Sequence, residues 1–224
     1  MPSSRDAILS GVRRSLKRGP LEDADAAVLA DRLAEPKPIL VPDRAKSAGE
    51  DAIALFTAMA EKVSASVVRI AEASQLGDAV SDYLRTHNQP MELVVSGGPL
   101  MGSLDDHPML TVRPGLPTPQ DRVAVVNGLC AVAESGSVML TSGTGLPSSL
   151  NFLPDTHIIV LRSADVFGGL EQAWAHLRSE KGREAIPRSV TLVTGPSRTG
   201  DIEQTIQLGA HGPLRLHIVL VDGA

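Results

Sequence analysis

From residue 66 onward, the chain alternates between unbroken apolar runs, rich in β-branched residues, and segments with helical periodicity. The apolar runs are residues 66–70, 92–95, 157–161, 189–193 and 216–221. A helical stripe through Leu170, Trp174 and Leu177 separates the third and fourth runs. Strands of a parallel sheet are buried on both faces, so they read as continuous apolar runs joined by amphipathic helices. The pattern predicts an α/β fold with a mostly parallel sheet and crossover helices.

Two further helices are predicted around the first of these strands. Residues 47–50 have the spacing of a capping box and open the first helix, and the second spans residues 74–87. Their apolar stripes are Ile53, Phe56, Met59, Ala60 and Val63 in the first helix, and Leu76, Val80, Tyr83 and Leu84 in the second. These stripes are expected to face the core.

The N-terminal region predicts two more helices. Ile8, Val12 and Leu16 recur every four residues among basic residues, and the alanine-rich residues 23–34 follow. Three apolar side chains bury too little area for stable membrane binding, so packing on its own domain or on a sister subunit is the better interpretation of the first helix.

Prolines divide the chain after these helices. Residues 35–38 and Pro42 break any helix and favour an extended linker. We therefore predict two parts, residues 1–46 with the N-terminal helices and linker, and residues 47–224 with the α/β domain. Inside the latter, Pro114, Pro117 and Pro119 predict a rigid loop. Residues 122–141 fit either a hairpin or a strand–loop–strand insertion.

Composition and charge exclude several classes. The 224 residues carry a formal charge of −5, which disfavours nucleic acid as a partner. No apolar run approaches the roughly 18 residues of a membrane span. The N-terminus shows no apolar signal region, and a cytoplasmic location is expected. Cys130 is the only cysteine, so this chain cannot supply an internal disulfide or a complete iron–sulfur ligand set, and the histidines show no metal-ligand spacing.

Three loops rich in small residues are the candidates for ligand binding. They are residues 96–98, 141–145 and 194–201, each following an apolar run. Ligands of open α/β sheets collect beyond the carboxyl ends of the strands, so we expect the loops to converge there on an anion, with Arg198 as a bidentate donor. A glycine after a strand is more often required by a turn than by a bound phosphate, and no phosphate-loop lysine follows any of the loops.

Two residues are candidates for acid–base or nucleophilic chemistry. Glu134 follows an apolar run and precedes a flexible turn, where a carboxylate can act as base or nucleophile or can cap backbone N–H groups. His211 stands between Gly209 and Gly212, where it can titrate near neutrality or bond to its own loop. His157 and His217, at the strands, are interpreted as structural.

Three ordered motifs resemble the signatures of a known family, the lactate-utilisation (LUD) domain. They are residues 133–140 (AESGSVML), 153–158 (LPDTHI) and the closing pair 195–203 (GPSRTGDIE) and 209–213 (GAHGP). Ser135 and Ser137 replace the threonines usual in the family and keep the hydroxyl groups. The resemblance extends over about residues 47–221, and the N-terminal helices suit the protein C type.

The resemblance implies a fold similar to the group of ribose-5-phosphate isomerase, glucosamine-6-phosphate deaminase and coenzyme A transferases. It also implies a role in L-lactate oxidation to pyruvate beside iron–sulfur partner proteins, with no cofactor on this chain. The residues that it makes candidates for binding a small anion are Ser135, Gly136, Ser137, Gly195, Ser197, Arg198, Asp201 and Glu203. Two alternatives stay open: an autonomous isomerase or transferase acting on a phosphorylated or coenzyme A-linked substrate, and a regulatory sensor. Homo-oligomerisation is also left open.

Overall fold

A computed structural model of the chain describes residues 3–17, 19–34, 40–182, 186–200 and 207–223. The chain divides into two units, residues 1–40 and 41–224. The first unit contains helices α1 (Ser4–Ser15) and α2 (Asp23–Ala34), which confirms both predicted helices. The predicted linker at residues 35–38 lies outside the described residues.

The second unit contains four α-helices and twelve strands among its described residues. The helices are α3 (Gly49–Lys62), α4 (Leu76–Thr86), α5 (Gly102–Asp105) and α6 (Leu170–Lys181). The strands are β1 (Ser66–Glu72), β2 (Glu92–Val95), β3 (Thr111–Pro114), β4 (Val123–Asn127), β5 (Cys130–Val132), β6 (Ser137–Thr141), β7 (Thr156–Arg162), β8 (Val166–Phe167), β9 (Val190–Val193), β10 (Arg198–Thr199), β11 (Gln207–Leu208) and β12 (Arg215–Gly223).

Six strands form a parallel sheet in the order β1-β12-β7-β4-β2-β3. The runs of β7 and β12 lie at its centre and are almost entirely buried, as continuous apolar strands of a parallel sheet should be. The predicted fold class is confirmed. Strand β3 was not predicted; it lies at the edge, where Pro114 at its end removes no central hydrogen bond.

A second sheet, in the order β8-β5-β6-β9, packs on one face of the first. Strands β5 and β6 form an antiparallel hairpin, which decides between the two interpretations of residues 122–141. Strand β9 pairs antiparallel with β6, so its assignment to the parallel sheet was wrong. The sequence could not show this, because a four-residue apolar run carries no information about which strand it pairs with.

Helices cover both faces of the parallel sheet. Helix α4 packs with Ile158 and Val219 on one face, whereas α3 and the second sheet pack with Ile159 and Ile218 on the other. Helix α6 covers the outer face of the second sheet through Leu177. Among the described residues, no helix has the length and apolar character needed to cross a membrane.

The beginning of α3 differs from the prediction. The N-cap residue is Ala48, and the hydroxyl of Ser47 donates to the carbonyl of Arg44 instead of accepting a bond from the helix. The capping box is therefore absent from this described helix start. Residues 43–46 form a short 3₁₀ turn with Ala45 buried, so the unit begins before the predicted boundary at residue 47.

Candidate anion-binding site

The hairpin turn between β5 and β6 and the loop after β9 meet at the carboxyl end of α3. Gly136 has φ of 65°, and a Cβ there would lie 2.5 Å from the backbone nitrogen of Ala60. Gly195 has φ of 75°, and its Cβ would lie 2.4 Å from the carbonyl oxygen of Val63. Both candidate glycines are required by close packing on α3, in keeping with the turn interpretation.

Three hydroxyl groups join the two loops. Ser135 Oγ lies 2.8 Å from Ser137 Oγ, which lies 2.7 Å from Thr194 Oγ1. Each hydroxyl can donate once and accept twice, so this hydroxyl row retains hydrogen-bonding capacity for a ligand. The structure thus brings together parts of two sequence motifs that lie about sixty residues apart in the chain. They meet because strands β6 and β9 pair.

Arg198 also reaches the end of α3. One guanidinium nitrogen donates to the carbonyl of Val63 at 2.6 Å and to Ser64 Oγ at 2.8 Å. Carbonyl groups at a helix carboxyl end lack partners within the helix, and a cation is stabilised there by the helix dipole. Arg198 therefore holds the loop against α3, and the residue as a whole is exposed.

A cavity of about 300 Å³ lies beside this loop, and we call it the Arg198 cavity. Gly195, Ser197, Arg198 and His211 all line it, so the structure collects four of the predicted residues in one place. Among its described lining residues none is acidic, and Phe152, Leu192 and Leu216 give it apolar walls. A guanidinium in a cavity whose described lining contains no acid suits a small anion.

His157 lines the same cavity from the first residues of β7. It is fully buried, and neither ring nitrogen has a hydrogen-bond partner among the described residues. Burial lowers the pKa of His157 to about 4, so its imidazole is neutral at pH 7. The sequence predicts a structural role for His157, and its position beside the cavity makes it a further residue to test by mutation.

His217, on the neighbouring strand β12, is a useful contrast. Its Nδ1 lies 2.8 Å from Ser66 Oγ, and its ring stacks on Tyr83 with centroids 3.9 Å apart. Burial is again the main cause that lowers its pKa to about 4. These contacts agree with the structural interpretation of His217.

Glu134 lies in the same hairpin turn, but its carboxylate is used by backbone and by an ion pair. Oε1 accepts from the N–H of Leu170 at the start of α6 at 3.1 Å, and Oε2 accepts from Arg44 Nε at 3.3 Å. An acidic group at a helix amino end satisfies free N–H groups and complements the dipole. These contacts are those of a capping residue, and a catalytic role for Glu134 stays a prediction.

The expected meeting of three loops at one edge is wrong. Gly97 N donates to Gly145 O at 2.7 Å, so the first two loops do meet beyond the carboxyl ends of the strands. The third loop lies at the opposite ends, where Ser197 N donates to Pro213 O just before β12. The reason is the antiparallel β6–β9 pair, which carries the chain away from that edge.

The edge where the first two loops meet holds a second cavity, of about 330 Å³, which we call the carboxyl-edge cavity. It lies at the ends of β2, β4 and β7, where ligands of such sheets are expected. Its polar lining residues are Asn127, Thr141, Arg162, Asp165, His176 and Glu180. Sequence reasoning missed all of these except Thr141, although Arg162 and Asp165 directly follow a predicted strand.

Asp201 and Glu203 lie outside the described residues. Within the described residues, no group of three His, Cys, Asp or Glu side chains is placed to hold a metal ion. Cys130 is buried, and burial raises its pKa to about 12, so its thiol is protonated at pH 7.

The sequence profile of the LUD domain matches residues 122–221, which include the hairpin, the Arg198 loop and strand β12. This segment is a LUD domain. Proteins named lactate utilization protein C resemble it: that of Geobacillus sp. (strain WCH70) is 36% identical over 106 residues, 46% of this chain and 44% of the relative. That of Shouchella clausii (strain KSM-K16) is 34% identical over 91 residues, 41% and 40% of the two chains.

The aligned part of this chain thus spans less than half the length of each of these two relatives. A crystal structure of a DUF162 family protein from Deinococcus radiodurans superposes with a TM-score of 0.58 at 19% identity. The superposition covers 76% of this chain and 96% of that protein, and it supports the fold. The predicted resemblance to the LUD domain is confirmed for residues 122–221.

Proposed function

We propose that this chain is a component of a system that oxidises L-lactate to pyruvate, acting in the cytoplasm with iron–sulfur partner proteins. The observation that supports this is the LUD domain at residues 122–221, shared with relatives named lactate utilization protein C. The alignment covers under half of those relatives, so the role of the whole chain rests on the proposal.

In this proposal the chain binds a small carboxylate in the Arg198 cavity. Arg198 and His211 supply donors, and no described lining residue supplies an opposing carboxylate. The apolar walls around Phe152 and Leu216 suit a short carbon chain. L-lactate and pyruvate fit this description, having one carboxylate, one further oxygen and one methyl group.

Electron transfer is assigned to the partners. The chain has one cysteine, and a cluster needs several thiolate ligands. Cys130 is buried with its pKa raised to about 12, so it is also a poor thiolate ligand.

The role is tested in the host that carries this gene. Deletion should abolish growth on L-lactate but leave growth on pyruvate unchanged, and tagged protein should co-purify iron–sulfur proteins. Unimpaired growth of the deletion strain on L-lactate would contradict the proposal.

The ligand is tested by calorimetry with pyruvate and L-lactate. Arg198→Ala removes charge-assisted hydrogen bonds of about 1.5–3 kcal/mol each, so binding should weaken about tenfold or more. Arg198→Lys should lose part of the affinity, because an ammonium lacks the planar fork. Arg85→Ala, which removes an exposed arginine paired with Asp82 on α4, is the matched control and should bind normally. Equal affinity of Arg198→Ala and the control would remove the cavity from the proposal.

A further inference from the structure

The carboxyl-edge cavity differs from the Arg198 cavity in its charges. Arg162 Nε donates to Asp165 Oδ2 at 2.7 Å, so this guanidinium is already paired. Glu180, a second acid, lines the same cavity as this pair. The carboxylate of Asp165, and at longer range that of Glu180, raise the pKa of Arg162. The formal charge of these three side chains is therefore negative, and an anionic ligand would be repelled.

A cationic ligand is disfavoured for the opposite reason. Arg162 lines the same space, and His176 lies beside it with Nε2 3.9 Å from Asp165 Oδ1. A ligand ammonium would lie next to the positive guanidinium of Arg162. Charges of both signs in a small volume favour a neutral ligand that can donate and accept hydrogen bonds.

The cavity offers free donors as well as free acceptors. Arg162 uses only Nε in a hydrogen bond to a described residue, so the N–H groups of its other two guanidinium nitrogens remain for a ligand. The distance from His176 to Asp165 Oδ1 exceeds that of a hydrogen bond. The exposed residue Glu180 lines the cavity as well and brings a second carboxylate to it. Hydroxyl groups are neutral and both donate and accept hydrogen bonds, so they suit a lining that offers both.

Size and lining narrow the ligand further. A volume of about 330 Å³ is at the lower end for small-molecule sites, which is too small for a dinucleotide. The described lining contains no Phe, Tyr or Trp on which a nucleobase would stack. Both observations favour a compact ligand over a nucleoside.

The geometry points to the carboxyl-edge cavity as a binding site for a small neutral molecule with neighbouring hydroxyl groups, of the size of a monosaccharide. The side chains that contact it are Asn127, Arg162, Asp165, His176 and Glu180. This site is independent of the carboxylate proposed for the Arg198 cavity, since the two cavities share no described lining residue.

The test is calorimetry on the full chain with three probes that differ in charge: D-ribose, ribose 5-phosphate and glucosamine. The neutral sugar should bind most tightly. Glu180→Gln should weaken its binding about tenfold, the loss of one hydrogen bond to a charged group. Glu171→Gln makes the same charge change in the first turn of α6, outside the cavity, and should leave binding unchanged.

Three results would overturn the assignment: no binding of any neutral sugar at millimolar concentration, tighter binding of the phosphorylated sugar, or equal effects of the two glutamate variants. Arg198→Ala separates this inference from the proposed function. It should weaken pyruvate binding about tenfold or more and leave sugar binding intact, so either site can fail without the other.

Discussion

At the scale of single residues, the buried histidines are the groups most sensitive to pH. His157 and His217 stay neutral in the folded chain, because burial lowers the pKa of each to about 4. In the unfolded chain both return to an ordinary pKa near 6.5. As the pH falls below 6.5, the unfolded state therefore takes up protons before the folded state does.

Stability is expected to fall as the pH decreases from about 6.5 to 4, by about 1.4 kcal/mol per pH unit for each histidine. His157→Leu should remove one share of this dependence and break no hydrogen bond to described residues. Denaturant unfolding at a series of pH values measures it, with exposed His211→Gln as the control. An unchanged pH dependence in His157→Leu would refute the assignment of a neutral buried ring.

Sequence reasoning located residues better than it assigned their contacts. The motif residues Gly195, Ser197, Arg198 and His211 do line one cavity, as a shared ligand would require. Glu134 could not be assigned from sequence, because its partners Arg44 and Leu170 are distant in the chain. Hydrogen-bond partners across such distances depend on tertiary packing, which local patterns do not encode.

At the scale of elements, the β5–β6 hairpin is fixed by its contact with α3. Gly136 has a left-handed backbone conformation, with φ of 65°, and a Cβ there would collide with the α3 backbone. Any side chain there would push the hairpin away from the helix. The hydroxyl row of Ser135, Ser137 and Thr194 would then lose its alignment.

Gly136→Ala should therefore lower the free energy of unfolding by more than backbone strain at residue 136 alone would. Gly182→Ala is the matched control, since Gly182 has φ of 75° and a Cβ there would meet no other part of the described chain within 4 Å. The control should cost about 1–3 kcal/mol from backbone strain alone. Gly136→Ala should cost about 2 kcal/mol more, measured by urea unfolding. Equal losses would mean that the hairpin is not held against α3.

The elements themselves were largely predictable, but their partners were not. Helix α4 and strands β7 and β12 follow directly from long, regular apolar patterns. Strand β9 was placed in the wrong sheet, because its four residues fit either sheet equally well. The cavity residues His176 and Glu180 were missed for the same reason: nothing in α6 alone shows that this helix lies over the ends of β4 and β7.

At the scale of the α/β unit, the chain holds two cavities with different charge. The Arg198 cavity has basic groups without an acidic described neighbour, whereas the carboxyl-edge cavity combines Arg162 with two acids. They lie at opposite ends of the central parallel strands, near the amino ends of β7 and β12 and the carboxyl ends of β2, β4 and β7. The two proposals therefore place two ligands of different chemistry on one unit.

The most direct test of the account is a titration of ¹⁵N-labelled full-length protein with pyruvate, followed by amide chemical shifts. We expect saturable shifts at Gly195, Ser197 and Gly212, with little change at Gly98 and Gly128 of the carboxyl-edge cavity. Absence of shifts, or shifts confined to Gly98 and Gly128, would contradict the assignment of a carboxylate to the Arg198 cavity.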